Sequence, residues 1–119
     1  MNDARLKALQ LKLQNKFYAT VINRLYYSCF HATKALLLLK DLTPKTHSGV
    51  VAMLNRHFVQ SGDFDMMQAS FYSRLMQERI NEDYSDEIIE DPENAKELIV
   101  PARQYVAYIE TLIQKLIAE

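Results

Sequence analysis

The segment Arg24-Leu25-Tyr26-Tyr27-Ser28-Cys29-Phe30-His31 contains two side chains whose spacing suits a working pair. Arg24 and His31 are seven residues apart, so on a helix turning about 100° per residue they return to nearly one face, their backbones about 10.5 Å apart. Tyr27 sits between them at three and four residues' spacing. An arginine fork can hold a phosphodiester while an imidazole trades a proton with a ribose 2′-hydroxyl, which is the chemistry of a metal-free ribonuclease. The competing reading pairs Arg24 with an acid inside a bundle and makes His31 a half-buried packing residue.

Two further segments hold polar groups at useful spacings. Lys45-Thr46-His47-Ser48 stands before an apolar run, where the free amides and positive end of a helix, with Lys45 and His47 adding charge, form a potential anion site. Arg56 and His57 suit the terminal carbonyls of that helix instead. Later in the chain Arg79 and Asp83 are four apart, followed by Tyr84. As a surface pair they contribute only about 0.3–0.5 kcal/mol. If Asp83 reaches Arg24 instead, a buried polar knot forms with Tyr26, Tyr27 or Tyr84, and removing one partner costs several kcal/mol.

Other chemistries find no residues to carry them. There is no glycine-rich phosphate loop, no Gly-x-Ser-x-Gly, no HExxH and no cluster of metal ligands, so neither a metal site nor a cofactor is expected. The lone Cys29 forms no intramolecular disulfide, which suggests a reducing cytoplasm. The apolar run 35–39 is too short to span a bilayer and too far from the N-terminus for a signal peptide. A net charge of −1 excludes binding to nucleic acid by bulk charge alone. The distribution is uneven, however. Residues 1–60 carry nine Lys or Arg against Asp3 and Asp41, a charge of +7, and residues 61–119 carry five against thirteen acids, a charge of −8. Either the two halves pack together and mate their charges, or a basic face suited to phosphates lies beside an acidic one.

These residues must be positioned by helices. The 119 residues hold two Gly and three Pro, and Leu, Ala, Lys, Glu and Gln abound without polar–apolar alternation. The pattern predicts a single all-α domain over 1–119, an antiparallel up-and-down bundle of about five helices. A first helix covers about 3–13 with Leu6, Leu9 and Leu13. A second covers about 16–40 with Phe17, Val21, Leu25, Cys29 and Ala32 on one stripe. A third, capped by Thr46 or Ser48, carries Val50, Met53, Leu54 and Phe58 and closes at Ser61-Gly62-Asp63. A fourth spans about 65–83 with Met67, Phe71, Leu75 and Met76. The last starts at Asp91-Pro92-Glu93 and runs through Leu98, Ala102, Tyr105, Ile109, Leu112 and Leu116, with a kink or break expected at Pro101.

Three blocks, Asn23 to Ala32, Lys45 to Val50 and Arg79 to Tyr84, resemble in order and spacing the HEPN domain, closest to the small stand-alone prokaryotic members. The resemblance covers nearly the whole chain. It implies an antiparallel helical bundle, commonly a homodimer through its long helices, that binds nucleotide or cleaves RNA, often with a minimal nucleotidyltransferase in a toxin–antitoxin pair. Ribonuclease members use an Arg, four to six residues, then a His, commonly in the later helix. Here Arg79 is followed by Asp83 and Tyr84 with no His, while Arg24 and His31 fit the spacing in an earlier helix. In members paired with nucleotidyltransferases a Tyr beside the motif accepts a nucleotidyl group, which Tyr84 approximates. The expectation is a nucleotide- or RNA-binding module using Arg24, Tyr27, Lys45, Thr46, His47 and Arg79, with Asp83 and Tyr84 in a polar network or as a modification site. The alternatives are a metal-independent ribonuclease using Arg24 and His31, and a non-catalytic helical adaptor.

Overall fold

Glycine and proline punctuate helices, and neither occurs before Pro44. The computed structural model, which describes residues 3–84 and 93–119 with the side chains of 81–84 and 93–94 left aside, accordingly begins with one long helix. Helix α1 runs Asp3–Leu38. This corrects the expected count of about five helices to four, because the segments 3–13 and 16–40 are one helix. Gln14 and Asn15 between them are no worse than mediocre helix formers, and nothing there breaks the backbone hydrogen-bond ladder.

Helix α1 ends by local chemistry. The Asp41 amide donates to the Leu38 carbonyl at 3.0 Å and the Leu42 amide to the Leu37 carbonyl at 3.1 Å, while Asp41 takes the left-handed conformation at φ 57°. This paired closure usually recruits glycine, and here an aspartate does it. Helix α2, His47–Leu54, is capped by Thr46, whose hydroxyl accepts the Gly49 amide at 2.9 Å. A π-helical turn, Asn55–Val59, extends it, and Gly62 at φ 83° ends the element with the same paired closure, Asp63 to Phe58 and Gly62 to Val59. Asp65 then opens helix α3, Met66–Tyr84, its carboxylate accepting the Met67 amide at 3.3 Å. Helix α4, Glu93–Ala118, continues through Pro101 without a break; the expected start at Asp91-Pro92 lies outside the described residues.

The three long helices alternate in direction. Tyr18 lies by Glu78 and Tyr26 by Tyr72, so α3 runs against α1, whereas Cys29 meets Ala102 and Thr33 meets Tyr105, so α4 runs with α1. No helix among the described residues is long and apolar enough to cross a membrane.

The buried face of α1 is offset from the expected stripe by one residue, about 100° around the helix, with Cys29 common to both. Tyr18, Ile22, Tyr26, Cys29, Thr33, Leu36 and Leu37 are buried, while Phe17 is 57% exposed. Tyrosines fill the centre: Tyr26, Tyr72 and Tyr105 stack at centroid distances of 6.0 and 5.4 Å with interplanar angles of 4° and 19°. Each phenol buries a large apolar body provided its hydroxyl finds a partner. Tyr105 shares a 2.6 Å hydrogen bond with Thr33, and Tyr26 reaches His47. The same substitution of aromatic for aliphatic contacts occurs on α3, where Ala69, Tyr72 and Leu75 are buried and Met67 is 78% exposed. On α4 the expected Leu98, Ala102, Tyr105 and Ile109 are all buried.

Candidate functional site

On α1, positions 23, 26, 27 and 30 follow the i, i+3, i+4, i+7 rule and share one face. Across that face the structure gathers the three sequence blocks. His47, first residue of α2, places Nδ1 2.6 Å from the Tyr26 hydroxyl and stacks on Phe30 at 4.6 Å between centroids. Arg79 of α3 donates from Nη2 to the Tyr27 hydroxyl at 3.2 Å and from Nε to Asn23 Oδ1 at 3.3 Å. Its guanidinium carbon stands 5.3 and 5.2 Å from the Tyr26 and Tyr27 ring centroids, close enough for cation–π attraction to both. Arg79 is thus fixed at two nitrogens and over two rings.

Electrostatics follow from this packing. Burial, reinforced by the cations Arg79 and Lys34, lowers the His47 pKa below its usual 6.5, so the imidazole is neutral at pH 7. Burial raises the Tyr26 phenol above 10, outweighing the opposite pull of Tyr72 and Arg79. With both groups uncharged, the short contact is best assigned as the phenol donating to Nδ1, leaving the ring proton on Nε2. Behind this pair the Tyr72 hydroxyl is wholly buried beside Tyr26, and burial raises its pKa strongly. Burial also pushes the Cys29 thiol up to about 12, which leaves it an inert packing group.

The expected residues divide into those brought together and those kept apart. Arg79, Tyr27 and His47 meet. Arg24 is exposed and lines an open groove of about 640 Å³ with Lys16, Thr20, Asn23, Tyr27 and Arg79. His31 is also exposed, its ring 6.0 Å from Tyr27, so Tyr27 does lie between Arg24 and His31. The reading that buries Arg24 in an ion pair and half-buries His31 therefore gives way to exposure of both. Lys45 lines a second groove with Phe30, Lys34, Leu38 and Pro44. Thr46 is engaged by the helix cap, and Gly49 is needed there: a Cβ at that position would sit 2.8 Å from Thr46 Oγ1. The side chains of Asp83 and Tyr84 lie outside the described residues.

Two members of the cluster escaped sequence reasoning. The sequence gives Asn23 no role beyond its block, and it offers Tyr26 as a partner for Arg24 or Asp83, where the structure pairs it with His47. The shared face of 23, 26, 27 and 30 was a usable signal; what it would face was not. Among the described residues no group of three His, Cys, Asp or Glu is placed to hold a metal ion.

Known proteins are similar to this chain over most of its length. The chain is 37% identical over 107 residues to a UPF0332 protein of Thermotoga maritima, covering 90% of this chain and 81% of the relative. It is 30% identical over 115 residues to a protein of Methanocaldococcus jannaschii named as a candidate toxin, covering 97% and 85%. A second candidate toxin of that organism is 33% identical over 97 residues, covering 82% and 66%. No solved structure matches. The family model described as the HEPN domain matches residues 3–112, and with the convergence of its three blocks on one cluster the chain belongs to the HEPN domain family.

Proposed function

We propose that this chain is a toxin-like HEPN module of the cytoplasm that binds nucleotide or RNA phosphates at the Arg79 cluster and works with a nucleotidyltransferase in a toxin–antitoxin-like pair. One observation carries the reading: Arg79, His47 and Tyr27, from three helices, meet at the surface on a stacked aromatic base, with Arg24 in the adjoining groove. A guanidinium already oriented by Asn23 and Tyr27 loses little freedom on meeting a phosphate. The relatives named as candidate toxins support the toxin side of the proposal. The test is titration of the purified protein with RNA and with ATP at low and moderate salt. Saturable, salt-dependent binding that Arg79→Gln weakens is expected, and no binding to either ligand would sink the proposal.

A second reading, a metal-independent ribonuclease, is favoured by the exposure of Arg24 and His31 on either side of Tyr27. It requires RNA cleavage under chelator that Arg24→Ala and His31→Ala each abolish while remaining folded. Equal cleavage by all three proteins would assign the activity to a contaminant. The non-catalytic adaptor predicts melting losses in Arg24→Ala with no effect on binding.

The homodimer belongs to the same proposal. Leu6, Leu9, Leu13 and Phe17 recur at helical spacing on α1 and are 44%, 48%, 69% and 57% exposed, an apolar stripe that a second copy would cover. Light scattering on the wild type and on Leu13→Glu tests it: a dimer that the substitution splits is expected, and a wild-type monomer at micromolar concentration would remove it.

A further inference from the structure

Helix α1 turns five full times between Lys16 and Lys34, so these two lysines share one line along it, roughly 27 Å apart. Asn23, Tyr27 and Phe30 stand on or near the same line between them. The grooves on either side of the aromatic cluster are joined through these residues: Lys16, Arg24 and Arg79 line one with Tyr27, and Lys34 and Lys45 line the other with Phe30. Tyr27 meets Phe30 edge to face at 5.9 Å, Lys34 Nζ lies 5.3 Å from the Phe30 centroid, and His31 packs beside both rings. Among the described residues no Asp or Glu lines either groove.

We infer that this face is a track for a single strand of nucleic acid about four to six nucleotides long, its backbone running from the Lys16 and Arg24 groove to the Lys34 and Lys45 groove and its central bases stacking on Tyr27, Phe30 and His31. The inference rests on the proposed phosphate binding at Arg79 and extends it from one contact to a strand. Cations at both ends of an aromatic platform are the elements of sequence-tolerant single-strand binding. A lone nucleotide needs the centre; only a strand needs both lysines. The rings also argue against a duplex, whose bases are already stacked within the helix and leave the platform empty.

The experiment is fluorescence anisotropy with labelled oligoribonucleotides of three, five, eight and twelve residues and a duplex of twelve, on the full chain and on Lys16→Gln, Lys34→Gln and Arg79→Gln. Affinity is expected to climb between three and five residues and then level off. Each lysine substitution is expected to lower the slope of log affinity against log salt for the five-residue strand by about 0.7, the value for one single-strand phosphate contact. ATP affinity should be unchanged by Lys16→Gln and Lys34→Gln and weakened by Arg79→Gln. Unaltered slopes with both lysine variants, or a duplex binding as tightly as the single strand, would overturn the track while leaving phosphate binding at Arg79 in place. Absence of any binding by the wild type would overturn both.

Discussion

Replacing Tyr26 by Phe isolates one bond at the base of the cluster. Phe keeps the ring that stacks on Tyr72 and Phe30 and lies beneath Arg79, and removes only the hydroxyl that meets His47 Nδ1 at 2.6 Å. A hydrogen bond between neutral groups contributes about 0.5–1.5 kcal/mol net. His47 is only half-buried, so water can take up part of the lost bond, and a cost near 1 kcal/mol is expected. For a chain of 119 residues that lowers Tm by roughly 4 °C. Urea denaturation of Tyr26→Phe, His47→Ala and the double variant measures the coupling, expected at about 1 kcal/mol. A Tyr26→Phe protein as stable as wild type, with no coupling to His47, would refute the reasoning. So would a loss above about 3 kcal/mol, which would mean that the ring itself had moved.

Other substitutions test neighbouring links. Arg79→Gln removes a cation that lowers the His47 pKa, so that pKa should move back up toward 6.5 in an NMR titration of the ring protons; no movement would mean that burial and Lys34 set it without Arg79. Thr33→Val strands the buried Tyr105 hydroxyl and should cost about 1–3 kcal/mol, and adding Tyr105→Phe should recover much of that by removing the orphaned group, both read by denaturation. Thr46→Ala should cost about 1 kcal/mol by uncapping α2, and Gly49→Ala should also destabilise, because its Cβ would press on the capping oxygen.

Legibility of the fold in the sequence depended on which residues did the signalling. Thr46, Gly62 and the apolar repeat from Leu98 to Ile109 act locally, through caps, a left-handed turn and a helical period, and each is where the pattern puts it. The helix division at residue 14 was not there, since a dip in apolar periodicity does not stop a backbone without glycine or proline. The core face of α1 lies one residue round from the expected stripe, because stacking and hydroxyl partners on other helices let Tyr26, Tyr72 and Tyr105 replace aliphatic packing. Of the site, Arg79, Tyr27 and His47 were legible as chemistry-bearing types. Their convergence was not, because it depends on α3 running against α1 and on the turn that brings α2 back along it. The charge asymmetry was legible too, and the two grooves put Lys16, Arg24, Lys34 and Lys45 on faces that no acid among the described residues lines.

Holding His47 neutral beside two cations has a consequence for ligand binding that reverses with pH. In the free protein burial, Arg79 and Lys34 disfavour the imidazolium, so the folded pKa lies below the unfolded 6.5. As pH falls through that interval the unfolded chain binds the proton first, and stability present above pH 6.5 is lost on the way down. A phosphodiester at Arg79 changes the balance, because its negative charge offsets the cations and favours the imidazolium. By reciprocity, whatever raises the His47 pKa on binding must tighten binding as His47 protonates. A phosphodiester oligonucleotide has no phosphate ionisation of its own in this range, so its affinity should rise as pH drops below 6.5 even though the protein becomes less stable. His47→Gln should remove that rise and keep the binding seen at pH 8. Affinity flat from pH 8 to the lower limit of folding, or a rise that survives in His47→Gln, would place the phosphate away from the Arg79 and His47 cluster.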